Sequence, residues 1–157
     1  NRFCADLAHQ RLELPPALRQ NWGQDLQGKS HMSLFLRAAL LLVGMLFFAI
    51  GTGFLIAPVR LGEAIGIAAE GTQGLSSMRA DFTAFFWVGG GSMALGGLRG
   101  HAGLLRVAAA LVGIALAARV ISLLVDGTYP AAFQPMVIEA VTLALALAGA
   151  RHFGKNG

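Results

Sequence analysis

The chain has a single cysteine, Cys4, in 157 residues, which excludes an intrachain disulfide and a cysteine-built metal cluster. Its four histidines, His9, His31, His101 and His152, stand in flanks or connections at no ligand spacing, so no metal site is expected. Charge is scarce too: 13% of residues are charged and 55% are hydrophobic, too apolar a mix for an ordinary soluble domain. The twelve Lys and Arg, with a net charge of +4, are spread between apolar runs and form no basic face, so nucleic acid is not the implied partner. No Ser/His/Asp or Cys/His set is brought together by spacing, and there is no haem or flavin motif, so neither a catalytic residue nor a cofactor is expected. What fills the chain is long hydrophobic runs, and the partner these imply is a lipid bilayer.

Four such runs occupy residues 34–57, 79–98, 104–125 and 131–150. At a rise of about 1.5 Å per residue the third reaches about 33 Å, against a hydrocarbon core of about 30 Å. The first is stopped by Pro58, which cannot continue a helix. The expected fold is all-α, a four-helix transmembrane bundle over 33–157. A polar preamble, 1–32, precedes it and has a Pro15–Pro16 break but no hydrophobic region of the kind a signal peptide needs. Two readings of the preamble stand: a cytoplasmic helix or mobile tail, or a tag-derived stretch, since Ser30-His31-Met32 resembles a vector scar and Met32 directly precedes the first run. Between the first two runs, 61–69 reads as a short amphipathic helix at the interface and the remainder as a loop.

Glycine and alanine are placed where helices could meet. Gly89, Gly90, Gly91, Gly96 and Gly97 do not form a phosphate loop, because no strand precedes them and no Lys-Ser/Thr follows; close helix packing or kinking is the expectation. Ala49 with Gly53 offers another close approach. Ala109, Gly113 and Ala117 in the third run and Ala140, Ala144 and Ala148 in the fourth suggest that these two helices pack through their small stripes, and a glycine face could also support a homo-oligomer or larger membrane complex. Phe82, Phe85, Phe86 and Trp87 suit an aromatic belt or packing near one interface.

Basic residues set the orientation. Arg2, Arg11, Arg19, Lys29 and Arg37 flank the first run, Arg99 and Arg106 the second connection, and Arg151 and Lys155 the tail, whereas the other two connections offer Arg60 and Arg79. The positive-inside rule places both termini in the cytoplasm. Ten Arg against two Lys, with abundant Ala, Gly and Leu, hint at a GC-rich bacterial genome and hence a bacterial inner membrane.

Two charges lie deep in this scheme: Arg119 in the third run and Glu139 in the fourth, at similar distances from the connecting turn. Alone, each would cost about 3 kcal/mol at mid-membrane, so a partner is required. Arg119, Ser122 and Asp126, three and seven positions apart, share one helix face, and Glu139 shares one with Thr142 and Ala146. The expected site is an Arg119–Glu139 contact in the outer half, with Arg79 and Asp81 above it and Asp126 capping it, Ser122 alongside. Its working reading is a polar pocket for a small anionic or lipophilic ligand. A purely structural pair fixing helix register, a proton path and a membrane enzyme are the alternatives.

The residues Gly74-Leu75-Ser76-Ser77-Met78-Arg79-Ala80, the glycine-rich helix behind them, Arg119-Val120-Ile121-Ser122-Leu123 with Asp126-Gly127 and Pro130, and Glu139 resemble the DUF4345 family of small bacterial four-helix membrane proteins. The similarity covers about 33–150. At Asp81-Phe82-Thr83-Ala84 the chain departs from it, where the family commonly has an aromatic and a pair of glycines. The resemblance implies a four-span bundle and carries no established activity. More distantly the chain resembles the DoxX-like group, some of whose members are linked to quinone or thiol redox chemistry.

Overall fold

The computed structural model describes residues 16–130 and 132–155, with side chains from residue 31 onward. Residues 1–15, including Cys4, lie outside the described residues, as does any reading of them. The chain divides into two units, Asn1–Phe35 and Leu36–Gly157. In the first, the described backbone is helical: α1 (Pro16–Ile56) opens at Pro16, where a missing amide donor is tolerated, so residues 16–32 are helix rather than tail.

The second unit holds the rest of α1 and four more helices: α2 (Pro58–Ala64), α3 (Gly71–Arg99), α4 (Ala102–Val125) and α5 (Phe133–Gly154). No strand occurs among the described residues. Among the described residues, three helices are long and apolar enough to cross a membrane, His31–Ile56, Ala102–Val125 and Phe133–Gly154. The expected second span is long enough, but its glycines, with Arg79 and Asp81 at its start, make α3 less apolar than the other three.

Two boundaries differ from the sequence expectation. The short helix begins at Pro58 and ends at Ala64, because Pro58 suits a first helical position and Gly66, at φ 77°, turns the chain. Residues 71–78, expected as a loop, form the first turns of α3. Their polar composition suggested a loop, yet Met78 is buried, and its sulfur fills the space beside Gly62 of α2, which fixes the segment as helix. At its other end α3 stops at Gly100 in the left-handed conformation, φ 64°, and His101 caps α4 by accepting a hydrogen bond from the Leu104 amide at 3.3 Å.

Within this unit α1, α3, α4 and α5 run antiparallel to their neighbours around one interior. Leu36 and Leu40 of α1, Met93 of α3, Leu105, Ala108 and Ala109 of α4, and Ala146, Ala150 and Phe153 of α5 form the buried core. A Cβ on Gly90 would stand 2.5 Å from the Gly44 carbonyl oxygen, so α1 and α3 touch backbone to backbone there. Leu105 fills the space beside Gly96, and Leu40 lies beside both Gly97 and Gly149, which closes the ring between α5 and α1. Arg37 fastens the same end: it donates to the Leu98 carbonyl at 2.6 Å and sits 5.0 Å from the Phe153 ring centre. This is the Arg37 end of the bundle.

Of the α3 aromatics, Phe82, Phe86 and Trp87 pack against α1. Phe54 stacks on Phe82 and Phe86, Phe47 meets Phe86 edge-on, and Phe48 stacks on Trp87, all between α1 and α3. Ala49 is exposed and Gly53 accommodates Leu61 of α2, so that expected close approach serves the short helix. The alanine stripe of α5 is also corrected: Ala140, Ala144 and Ala148 are exposed, because the row Glu139, Thr142, Ala146, Ala150 is the one turned inward. The α4 stripe is used in part, with Ala109 buried, Gly113 against Leu143 and Ala117 exposed.

Candidate functional site

The inward rows decide which charges can meet. On α3 the row Gly97, Met93, Gly90, Phe86, Thr83 continues to Arg79; on α4 Leu105, Ala108 and Val112 lead to Arg119; on α5 Ala150, Ala146 and Thr142 lead to Glu139. Arg119 and Glu139 therefore stand where core positions would fall, at the end opposite Arg37; the α3 row that Arg79 continues packs on α1, with Gly97 beside Leu40, Gly90 on Gly44 and Thr83 bonded to Gly51. Register adds height. Leu105 beside Gly96 and Leu111 beside Gly89 set α3 against α4, which brings Arg79 level with the turn that follows Arg119.

Arg119 and Glu139 meet as expected. The Arg119 Nε donates to Glu139 Oε1 at 2.7 Å, linking α4 to α5. The pair is uneven: the arginine side chain is 40% exposed and the glutamate 15%. Only Nε is engaged, so the fork of the guanidinium is not matched to both carboxylate oxygens. The other oxygen, Glu139 Oε2, is buried without a hydrogen-bond partner, and so is Arg79 Nε. These are the only two buried side-chain N or O atoms so left among the described residues. Each unmet group of this kind costs about 1–3 kcal/mol, more when charged.

The remaining residues expected at the site lie apart from that contact. Ser122 donates to Asp126 Oδ2 at 2.7 Å one turn further along α4, and the Asp126 amide closes the helix on the Ser122 carbonyl. Both are exposed, so Asp126 caps α4 and does not join Arg119. Asp81 is exposed two residues past Arg79, off the inward row. Thr142, one turn from Glu139 toward the core, is buried. No group of three His, Cys, Asp or Glu that could hold a metal occurs among the described residues.

Sequence reasoning missed two features. Arg37 reads as a cation placed cheaply at a helix start, yet its guanidinium satisfies carbonyls at the end of α3; the only signal was a helix ending at Arg99-Gly100 with carbonyls to satisfy. Thr83, buried, donates to the Gly51 carbonyl at 3.2 Å and was not singled out. Comparison of the chain with protein-family models, curated proteins and solved structures gives no match.

Proposed function

We propose that the protein is a four-span integral membrane protein of a bacterial inner membrane, with both termini cytoplasmic, whose polar site around Arg119, Glu139 and Arg79 receives a small anionic or lipophilic ligand from the outer side. The surface supports the membrane reading: Leu42, Leu46, Ile114, Ile121, Leu124 and Val141 are exposed. Only 17 to 28% of each of the three apolar windows is buried within the chain, which supports a surface covered by lipid. α3 supports the fourth crossing, because it lies beside α1 from Leu40 and Gly97 at one end to Phe54 and Phe82 at the other. If α1 crosses, α3 crosses with it. The resemblance to small four-helix bacterial membrane proteins agrees with that count, and the distribution of basic residues supports the orientation.

The observation that carries the ligand reading is the one-armed Arg119–Glu139 contact, with Glu139 Oε2 buried and unmet. A pair whose sole role was to fix register would be expected to use both oxygens. Asp81, Ser122 and Asp126 form the exposed rim through which a ligand approaches. Thermal-shift measurements in detergent on wild type and Arg119→Ala, with small carboxylates, phosphates and anionic lipids added, test it. Stabilisation of the wild type that the variant lacks is expected; the same response from both proteins refutes the reading.

A further inference from the structure

Charge is divided between the two ends of the bundle. The five acidic side chains described, Glu63, Glu70, Asp81, Asp126 and Glu139, all stand toward the end opposite Arg37. The Arg37 end carries Arg37, Arg99, Arg106, Arg151 and Lys155, and no acid among the described residues. Arg37 gives its donors to carbonyls of α3. Arg106, Arg151 and Lys155 are exposed and have no ion pair among the described residues. These three meet at one seam. A Cβ on Gly154 of α5 would lie 3.4 Å from the Ala102 Cβ and 3.6 Å from the Arg106 Nη2, so the guanidinium of α4 reaches across to the last turn of α5. Lys155 follows Gly154 directly, and Arg151 stands three positions before that glycine and four before Lys155, spacings at which helix side chains are neighbours. Apolar surface adjoins them at once: Val107 follows Arg106, Leu147 lies one turn before Arg151, and both are exposed.

Resting on the membrane reading but not on the Arg119 site, we infer that the α4–α5 seam at the Arg37 end seats an anionic phospholipid, its phosphate on Arg106, Arg151 and Lys155 and its acyl chains along the exposed apolar face beside them. Orientation in a bilayer asks only for basic residues in flanks and connections. It does not ask that three be drawn to one pair of helix ends with no acid near them. Each basic residue held at the membrane surface adds about fivefold to the attraction for anionic lipid. The forks of Arg106 and Arg151 also offer paired donors to phosphate oxygens. A soluble phosphate or a nucleic acid would meet the cations and leave the adjoining apolar surface unused; a phospholipid meets both. A headgroup with two phosphates balances more of this charge than a headgroup with one.

The test uses the full chain in phosphatidylcholine nanodiscs, undoped or doped with phosphatidylglycerol or diphosphatidylglycerol. Lipid retained on the released protein is counted by native mass spectrometry. Retention is expected to rise from phosphatidylcholine to phosphatidylglycerol and again to diphosphatidylglycerol. Arg106→Gln should lower retention of both anionic lipids about fivefold, and Arg106→Gln combined with Arg151→Gln should lower it further. Arg106→Lys keeps the charge and should restore most of the loss. Arg60→Gln removes the same charge from α2, at the other end, and should leave retention within about twofold of wild type. Melting of each variant, followed by tryptophan fluorescence, shows that it is folded. Equal losses from Arg60→Gln and Arg106→Gln would reduce the effect to net charge and overturn the inference, as would the absence of any preference for anionic lipid. Retention that falls in Arg119→Ala but not in Arg106→Gln would assign the lipid to the Arg119 site and overturn this inference alone. A chain that does not enter the discs overturns the membrane reading and this inference with it.

Discussion

At the Arg37 end, Leu36, Leu40, Met93, Leu105 and Phe153 meet alanines and glycines in a closed apolar core; at the other end, the inward rows of α4 and α5 carry Arg119 and Glu139, and α3 carries Arg79. Arg37 lies at the margin of the first region with its donors on two backbone carbonyls. In the second, two buried polar atoms have no partner. Within a bilayer the hydrophobic effect does not draw helices together, so close packing and satisfied polar groups must do so. One end of this bundle meets both requirements. The other gives up part of each, in the way binding sites do.

The largest effect should come from breaking the packed end. Gly90→Leu drives a side chain into the α1 backbone, where even a Cβ would lie 2.5 Å from the Gly44 oxygen and 2.8 Å from the Phe48 nitrogen. Backbone cannot yield as a flexible side chain does, so a loss of about 3 kcal/mol or more is expected in detergent unfolding titrations. A loss under about 1 kcal/mol would mean that α1 and α3 are not in backbone contact.

The charged end should respond unequally to the loss of its two partners. Arg119→Ala leaves a carboxylate that is 15% exposed without its cation, and should cost about 2 kcal/mol. Glu139→Gln leaves an arginine that is 40% exposed and long enough to reach water, and should cost less than about 1 kcal/mol. Equal losses would indicate a pair as closed as the apolar core, and the contrast between the two ends would fail.

The pairing of Arg119 with Glu139 was legible in the sequence because intramembrane charges are few and the helix rise fixes their depth. The placement of Asp126 was not: periodicity gives it the same face as Arg119, but helix closure draws it to Ser122 instead. The α5 alanines misled for a related reason. Period-four spacing marks two opposite rows alike, and only the position of Glu139 and Thr142 shows which row turns inward. Residues 71–78 were read as loop on composition, which does not register that Met78 packs beside Gly62 of the preceding helix. The Gly44–Gly90 contact was half visible: the α3 glycines were expected to pack, but nothing local marks Gly44 as their partner.

A smaller effect is expected at Arg37. Arg37→Gln keeps a polar group at the end of the bundle but loses the charged donors to Leu98 and Gly97 and the contact with the Phe153 ring. The carbonyls at the end of a helix can turn to water if they lie at the membrane surface, so the loss should be about 1 kcal/mol. A loss above about 2 kcal/mol would show those carbonyls to be shut away from water, and the packed end to extend past Arg37.

The smallest effect should come from the exposed alanines. Ala144→Leu adds volume on the face of α5 opposite the Thr142 and Ala146 row, where the neighbours Ala140, Val141 and Ala148 are exposed as well. If that face meets lipid, the added side chain exchanges one apolar surrounding for another, and stability should stay within about 0.5 kcal/mol of wild type. The same change at the inward row, Ala146→Leu, meets a fully buried position in the core and should cost about 2 kcal/mol. The difference between these two alanines, two residues apart on one helix, checks the rotation of α5, and the inward placement of Glu139 depends on that rotation. Were Ala144→Leu the costlier of the two, α5 would be turned the other way, Glu139 would face lipid, and the site at that end of the bundle would be lost.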